Sequence, residues 1–375
     1  MNRFLKMWLP GILLAALAPT LWSTITTHDD VFDTQNLLQV DAAELKTTCV
    51  SPHLEAPIEG GANVVWCGTF QLAWNELCAL VGEDLHFAGK EPEPVAILNK
   101  KSFRKGDLDE ASYVALADFV RNDVHGRIRR ELLSKFGGRA SPKSLPSPAD
   151  TPRPQDIAAY SYLFKNLEFG VVFERLEEPL TFGKSRVSCF GIGDEFKPGQ
   201  AAMCAQVLVL DYRNPDDFVI ELRTKSEGDR VVLASTRPER TLAETIVAVQ
   251  GRMARTKSSP ASAGDVLKIP RFNFDITRSY GELLGATLAV GNPALAKDLQ
   301  IVAAVQDTRF QMVEKGVRLR SESHISLGCA AEPQPPRNHV MIFNKPFLIM
   351  LQRSDAKMPY LALWIGNAEL LQHVD

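Results

Sequence analysis

The run Val340–Met341–Ile342–Phe343–Asn344–Lys345–Pro346–Phe347–Leu348–Ile349–Met350–Leu351 constrains this chain more than any other stretch. Two apolar segments flank Asn-Lys-Pro, and a third, Tyr360–Leu361–Ala362–Leu363–Trp364–Ile365–Gly366, follows. Proline has no N–H to give to a sheet ladder, so Pro346 stands at a strand start, an edge or a bulge. The flanking runs are short and rich in β-branched and aromatic residues, which makes them buried strands rather than helices. The chain therefore ends in a buried sheet.

At 375 residues the chain can bury a large core, and its 45% hydrophobic and 23% charged residues are ordinary for a globular protein. The net charge of −3 offers no basic surface, which argues against nucleic acid as a partner. The first 26 residues differ in character. Arg3 and Lys6 precede the uncharged apolar run Met7–Ala18, the pattern of a secretory signal. No small-residue cleavage site closes the run, so an uncleaved membrane anchor is the alternative, although Pro10 and Pro19 interrupt a spanning helix. Either way the protein is expected to be exported: secreted or extracytoplasmic (periplasmic or extracellular), and anchored to the membrane if the leader is kept. Six cysteines (Cys49, Cys67, Cys78, Cys189, Cys204, Cys329) are compatible with disulfides outside the cytoplasm or with buried thiols. None has the spacing of a zinc site.

Residues 27–62 are polar with a short helix expected around Val40–Leu45, and residues 63–375 read as one domain. From Asn63 to Val81 nearly every side of the periodic pattern is apolar, which predicts a core helix with Thr69 as N-cap. On that helix Cys67 and Cys78 are three turns apart, roughly 16 Å, too far to pair. Val95–Leu98 reads as a strand and Asp109–Leu133 as an amphipathic helix. The Pro-rich segment 137–155 reads as an inserted surface loop. Strands are expected at Ile157–Phe164, Gly170–Leu176, Arg186–Phe190, Gln206–Asp211, Phe218–Leu222, Val266–Ile276 and Ile301–Val313, with a helix at Thr241–Met253.

In this order several segments resemble the serpin family. Asn63–Val64–Val65 resembles the entry to its helix B, and Val120–Ile128 the end of its helix F. Ala159–Phe164 followed by Lys165 is similar to the strand that forms the shutter of its sheet. Lys268–Ile269–Pro270–Arg271–Phe272–Asn273–Phe274, followed by Tyr280, Leu284 and Gly285, resembles its Leu-Pro-Lys-Phe strand and Leu-Gly step. Phe310–Gly316 resembles the strand and hinge before the reactive-centre loop, and Phe343–Phe347 the Phe-Asn-(Arg/Lys)-Pro-Phe signature. The match is scattered over residues 63–371. It implies an α+β fold with a large central, mostly antiparallel sheet, a second sheet packed by helices, and an exposed loop near the C-terminus. The stretch Val81–Pro94 is too short for the family's helices C to E and one sheet strand.

Serpins trap proteases: the loop is cut, and its hinge inserts into the central sheet as a new strand. The resemblance places the loop at about residues 314–342, with Gly316, Val317 and Leu319 in the hinge. It puts the scissile bond near Ala330–Ala331 and an alternative cleavage point at Arg337. This hinge departs from the family pattern. Val317–Arg318–Leu319–Arg320–Ser321–Glu322–Ser323–His324 stands where inhibitors carry a threonine and a run of alanines. The set Val317, Leu319, Ser321, Ser323 suits the inner face of a sheet; the set Arg318, Arg320, Glu322, His324 would have to face solvent. The shutter departs too: Cys67–Gly68–Thr69–Phe70 replaces Ser-Pro-x-Ser, Asp307 stands where a histidine is expected, and Tyr160 where an asparagine is. These differences imply a non-inhibitory protein that binds another protein or serves as a scaffold. The alternative is a suicide-substrate inhibitor of a serine or cysteine protease.

Enzyme chemistry finds no support in the residues. Gly191–Ile192–Gly193 is a lone GxG, the seven histidines form no paired spacing, and Asp216–Asp217 and Glu177–Glu178 point to opposite faces of a strand. Trp66 and Trp74 read as core, and Arg127, Arg129 and Arg130 as a solvated helix end. No catalytic residue, metal ligand or cofactor is assigned.

Overall fold

The computed structural model describes residues 36–374 except 138–155, 196–198, 286, 293–294, 296–298 and 320–338. Among the described residues it holds nineteen strands, β1–β19, and five α-helices, α1–α5, in chain order. The largest sheet has eight strands. Its order is β12 (Ser259–Pro260), β9 (Val207–Asn214), β10 (Asp217–Leu222), β11 (Asp229–Ser235), β18 (Phe347–Arg353), β19 (Leu361–Ile365), β3 (Asn63–Cys67) and β2 (Thr48–Ser51). A five-stranded sheet runs β1 (Leu38–Asp41), β14 (Phe272–Ser279), β15 (Val305–Val313), β16 (Gly316–Leu319) and β6 (Lys165–Glu168). A four-stranded sheet runs β17 (Val340–Ile342), β13 (Val266–Pro270), β8 (Ser185–Ile192) and β7 (Glu174–Phe182). β4 (Tyr113–Phe119) and β5 (Ile157–Leu163) pair with each other, and β5 runs on into β6 through Phe164. Most of these pairings are antiparallel, and the fold is α+β with few helices.

The C-terminal strands lie where their composition places them. β18 and β19 occupy the middle of the eight-stranded sheet, and Phe347–Leu351 are wholly shielded from solvent. Continuous apolar runs belong in strands covered on both faces. Asn-Lys-Pro is a crossing between sheets: β17 before it pairs with β13, whereas β18 after it pairs with β11 and β19. Phe343 and Phe347, on either side of the proline, pack with their rings tilted and 5.0 Å apart.

Five helices complete the scaffold: α1 (Thr69–Val81), α2 (Glu93–Leu98), α3 (Val124–Phe136), α4 (Gln200–Ala205) and α5 (Leu242–Arg255). α1 ends at Gly82, whose positive φ closes the last turn. α1 lies on one face of the β4–β5 pair and α3 on the other, where Ile128, Leu132 and Phe136 meet Tyr160 and Phe164.

Several expected elements differ, each for a local reason. The apolar run from Asn63 is two elements, β3 and then α1, because Asn63–Cys67 pairs with β19 and β2. Gly68 rather than Thr69 is the N-cap of α1. Cys67 is therefore on a strand; it and the other described cysteines are free thiols, and Cys329 lies outside the described residues. Val95–Leu98 is helix α2, opened by Pro94 in the first turn, where a missing N–H costs nothing. Asp109–Leu133 divides at Asp118, whose side chain takes the Phe119 N–H. Asp123 then caps α3 by accepting from Gly126 N. Between α1 and β4 the described chain has only α2 and short 3-10 turns. Residues 38–41 form β1 rather than a helix, followed by a single 3-10 turn. The strand expected at Gly170–Leu176 starts at Glu174, and Ile301–Val313 is strand only from Val305. Val266–Ile276 is broken at Arg271 into β13 and β14, which belong to different sheets. Among the described residues no helix is long and apolar enough to cross a membrane, and the leader lies outside them.

Removing the Phe347 ring is expected to be among the costliest single truncations in the chain. Phe347→Ala should cost about 3–5 kcal/mol of unfolding free energy, read from the denaturation midpoint in urea.

Candidate functional site

The upstream root of the 320–338 segment is the strand β16. Gly316, Val317 and Leu319, expected in the hinge, all lie on it, whereas Ala330, Ala331 and Arg337 fall outside the described residues. β16 is paired antiparallel on both sides, with Val313–Gln311 of β15 and with Glu168–Lys165 of β6. Its pleat sorts the side chains: Val317 is fully buried between Met312 and Leu167, Leu319 is buried, and Arg318 is half-buried. An apolar-polar-apolar triplet in a sheet covered on its inner face can settle in only one register.

Glycine at 316 is required by a close approach. A Cβ there would stand 2.7 Å from the Leu167 carbonyl oxygen and 2.8 Å from the Glu168 Cα, both backbone atoms that cannot swing away. The turn before it, Glu314–Lys315, is gripped from two directions. Its carbonyls accept the N–H groups of Phe173 (2.9 Å) and Phe169 (3.1 Å). The Glu314 carboxylate lies 3.1 Å from the buried Arg271 guanidinium. Arg271 is the residue at which the chain passes from β13 to β14, so the Ile-Pro-Arg-Phe motif supplies the hinge's counter-ion. Sequence reading gave Arg271 no such role; a charged residue at a break between two buried strands was the available signal.

β6 carries a second set of contacts. Its Lys165 ammonium is 2.9 Å from Asp229, which also accepts from Ser226 (2.9 Å) and from Tyr360 (3.1 Å). Burial, and then the Asp229 carboxylate, push the Tyr360 phenol well above its ordinary range, which keeps it a donor. Lys225 donates to Glu168 at 2.8 Å. Burial of Glu168 opposes its charge, but hydrogen bonds from Lys225 and Asn166 outweigh it and hold the carboxyl below its usual range.

Below Leu319 the two flanks diverge from the paired region. β15 from Val305 to Phe310 pairs with β14, and β5 pairs with β4; among the described residues no strand joins the facing edges of β15 and β5. At this seam the shutter residues fall on different faces. Asp307 lies on the outer face, where Thr277 donates to it at 2.6 Å. Its neighbour Gln306 takes the inner position: it accepts from Tyr280 (2.6 Å) and donates to Thr69 (2.8 Å) and to the Cys67 carbonyl (3.0 Å). Tyr160 is buried against α3, and burial, with Tyr162 and Asp307 adding to it, pushes its phenol up.

The downstream root is anchored separately. His339 N donates to Asp265 at 2.6 Å, and its ring Nδ1 lies 3.0 Å from the other oxygen of that fully buried carboxylate. The Tyr212 ring packs 4.5 Å from the imidazole. Other sequence candidates resolve into structure. Gly191 lies inside β8, where a Cβ would meet the Leu267 carbonyl; Trp66 packs edge-on to Phe103, and Trp74 donates to Asn99. Arg127 and Arg130 are paired with Asp118 and Asp123. Among the described residues no group of three His, Cys, Asp or Glu side chains could hold a metal ion.

No protein-family model matches the chain, and no curated protein matches it. Solved structures similar to it include serpins. A serpin from Schistosoma mansoni is 15% identical with a TM-score of 0.38, over 66% of this chain; the chain spans just under two thirds, 64%, of that serpin. The mouse protein-Z dependent protease inhibitor is 14% identical with a TM-score of 0.44, over 83% of this chain and 91% of its own. SRPN18 from Anopheles gambiae is 12% identical with a TM-score of 0.47, over 86% of this chain and 96% of its own. At this distance the likeness assigns neither an activity nor a partner.

Two outcomes follow from the seat of β16. Gly316→Val should push β16 off β6, so that limited proteolysis cuts at 316–319 in a chain whose body stays resistant. Glu168 contributes through a lowered folded pKa, so its stabilisation is present above the ordinary carboxylate value and lost as pH falls through the folded one. The stability gap between wild type and Glu168→Gln, from urea unfolding at each pH, should be present at neutral pH. It should shrink as pH falls below the ordinary carboxylate value and be gone once pH is below the lowered folded one.

Proposed function

We propose that this chain is an exported serpin-like protein that acts by binding another protein, with the root of its loop seated in the sheet and further insertion opposed. Export rests on the charged and apolar leader. The reading of the loop is carried by the register of β16. Gln311 lies opposite Arg318. Two residues further in the same register, Arg320 would face Arg309; two more, and Glu322 would face Asp307. Like charges directly opposite each other on one face of a sheet are destabilising. An inserting strand would therefore meet repulsion at its first two outward positions.

One observation favours the second reading, a suicide-substrate inhibitor of a serine or cysteine protease. The inward set is acceptable to the seam: in the same register Ser321 would face Thr308, and Ser323 would face Gln306. Both buried residues are polar, so small hydroxyls suit them.

Cutting the purified chain once within residues 320–338 and comparing its melting temperature with the uncut form separates the two. The binding reading expects no rise and no SDS-stable complex with the cutting protease; a large rise, or such a complex, would establish insertion instead. The double variant Arg320→Glu with Glu322→Arg turns both facing pairs attractive. It should gain a rise in melting temperature on cleavage that the wild type lacks.

A further inference from the structure

β6 is the last strand of the five-stranded sheet, with β16 on one edge. Its other edge is held by the turn between β10 and β11. Phe169, just past β6, forms a bridge with Thr224, and Lys225 N donates to the Glu168 carbonyl at 2.8 Å. Two ion pairs join the same segments at opposite ends of β6. Lys225 reaches Glu168 at 2.8 Å near the surface, and Lys165 reaches Asp229 at 2.9 Å with both side chains less than a tenth exposed. The turn is itself stiff: Thr224 donates to the Ser226 carbonyl (3.2 Å), and Ser226 donates to Asp229 (2.9 Å). Asp229 is fixed from the far side by Tyr360, whose carbonyl accepts the Gly68 N–H at the start of α1.

These contacts have one mechanical consequence. Four-residue β16 cannot hold itself in place; a short strand stays paired only while both neighbours keep their spacing. β15 is fixed along its length by β14. β6 has only four residues, and its far edge is held by the turn behind it. The buried pair is also poised to matter, because removing one partner of a buried ion pair leaves the other charge uncompensated.

We propose that the β10–β11 turn, through Lys165–Asp229 and Lys225–Glu168, is a clamp that positions β6 and so keeps β16 seated. Lys165 and Asp229 are positioning residues: both act on Val317 and Leu319 through β6. The proposal deepens the reading of β16 as the root of a protein-binding loop and rests on it for its significance.

The test follows amide hydrogen exchange of residues 316–319 in the full, uncut chain, with β8 in the four-stranded sheet as internal reference. Lys165→Met alone would leave a buried carboxylate unpaired, so it is combined with Asp229→Asn, a neutral amide that keeps a hydrogen-bond partner for the Tyr360 and Ser226 hydroxyls. Exchange at 316–319 is expected to accelerate at least about tenfold while β8 keeps its wild-type rate. Lys225→Ala, at a partly exposed position that should tolerate the change, is expected to act in the same direction by a smaller factor. Unchanged protection at 316–319 in both variants, or acceleration only in step with β8, would overturn the clamp. The uncut chain reports the clamp alone. The loop reading is judged by melting after cleavage, so either can fail while the other stands.

Discussion

Three sheets meet at one cluster of phenylalanines, and their relative placement depends on it. Phe347 of β18 lies 6.3 Å from Phe272 of β14 and 6.1 Å from Phe182 of β7, and Phe343 lies 5.0 Å from both Phe347 and Phe218 of β10. Phe272 in turn packs edge-on against Phe310 of β15. The eight-, five- and four-stranded sheets therefore share one aromatic joint, built largely of T-shaped contacts that fix direction as well as area. Two of its members stand at sheet crossings. Pro346 precedes Phe347, and Pro270 precedes Arg271 and Phe272. A residue that cannot donate to a ladder is tolerated where the chain leaves one ladder for another.

The position of β16 follows from that joint. β14 and β15 are fixed through Phe272 and Phe310. The hinge turn is then set against Arg271, the residue between the Pro270 crossing and Phe272. On the inner face of the sheet Val317 finds a closed apolar site between Met312 and Leu167, a burial worth roughly 1.5–3 kcal/mol relative to exposure. On the outer face the neighbouring rows are charged: Arg309 beside Asp275, and Asp307 beside Thr277. A strand entering this sheet is welcomed on one face and sorted by charge on the other. Alanine-rich segments avoid that selection; a segment reading Arg-x-Glu is subject to it.

The C-terminal half of the fold was legible because its strands are buried on both faces and read as unbroken apolar runs between prolines. β18 and β19 could be placed from composition and spacing alone, with Pro346 at a strand start, an edge or a bulge; that the chain crosses between sheets there could not. The region from Asn63 to Phe136 was not. There β3 and α1 are both apolar throughout, so periodicity could not separate a central strand from a core helix. Between Tyr113 and Phe136 a half-buried strand and an amphipathic helix meet at Asp118–Asp123, and their combined spacing imitates one longer helix. The site was legible in part. Val317 and Leu319 could be assigned an inward face because a strand alternates, whatever its neighbours. Arg271, Lys165 and Asp229 could not be assigned, since their importance lies in pairings 43 and 64 residues apart in sequence that only the folded sheets bring together.

The two roots of the 320–338 segment are held by different physics, and the contrast bears on how the chain responds when that segment is pulled or cut. The downstream root, His339, is tied by direct hydrogen bonds to one fully buried carboxylate, Asp265, and then continues into β17. The upstream root is tied at the Glu314–Lys315 turn, but β16 beyond it is held through its neighbours. Its hold is borrowed from β15 and β6, and β6 borrows its own place from the β10–β11 turn. Cooperative pairing of that kind is lost as a unit when a flanking strand shifts, whereas a hydrogen-bonded anchor fails by itself. Motion is thus expected to begin at Gly316–Leu319 and not at His339–Ile342. The glycine that lets β16 approach β6 so closely is also the residue with the least side chain to resist its departure.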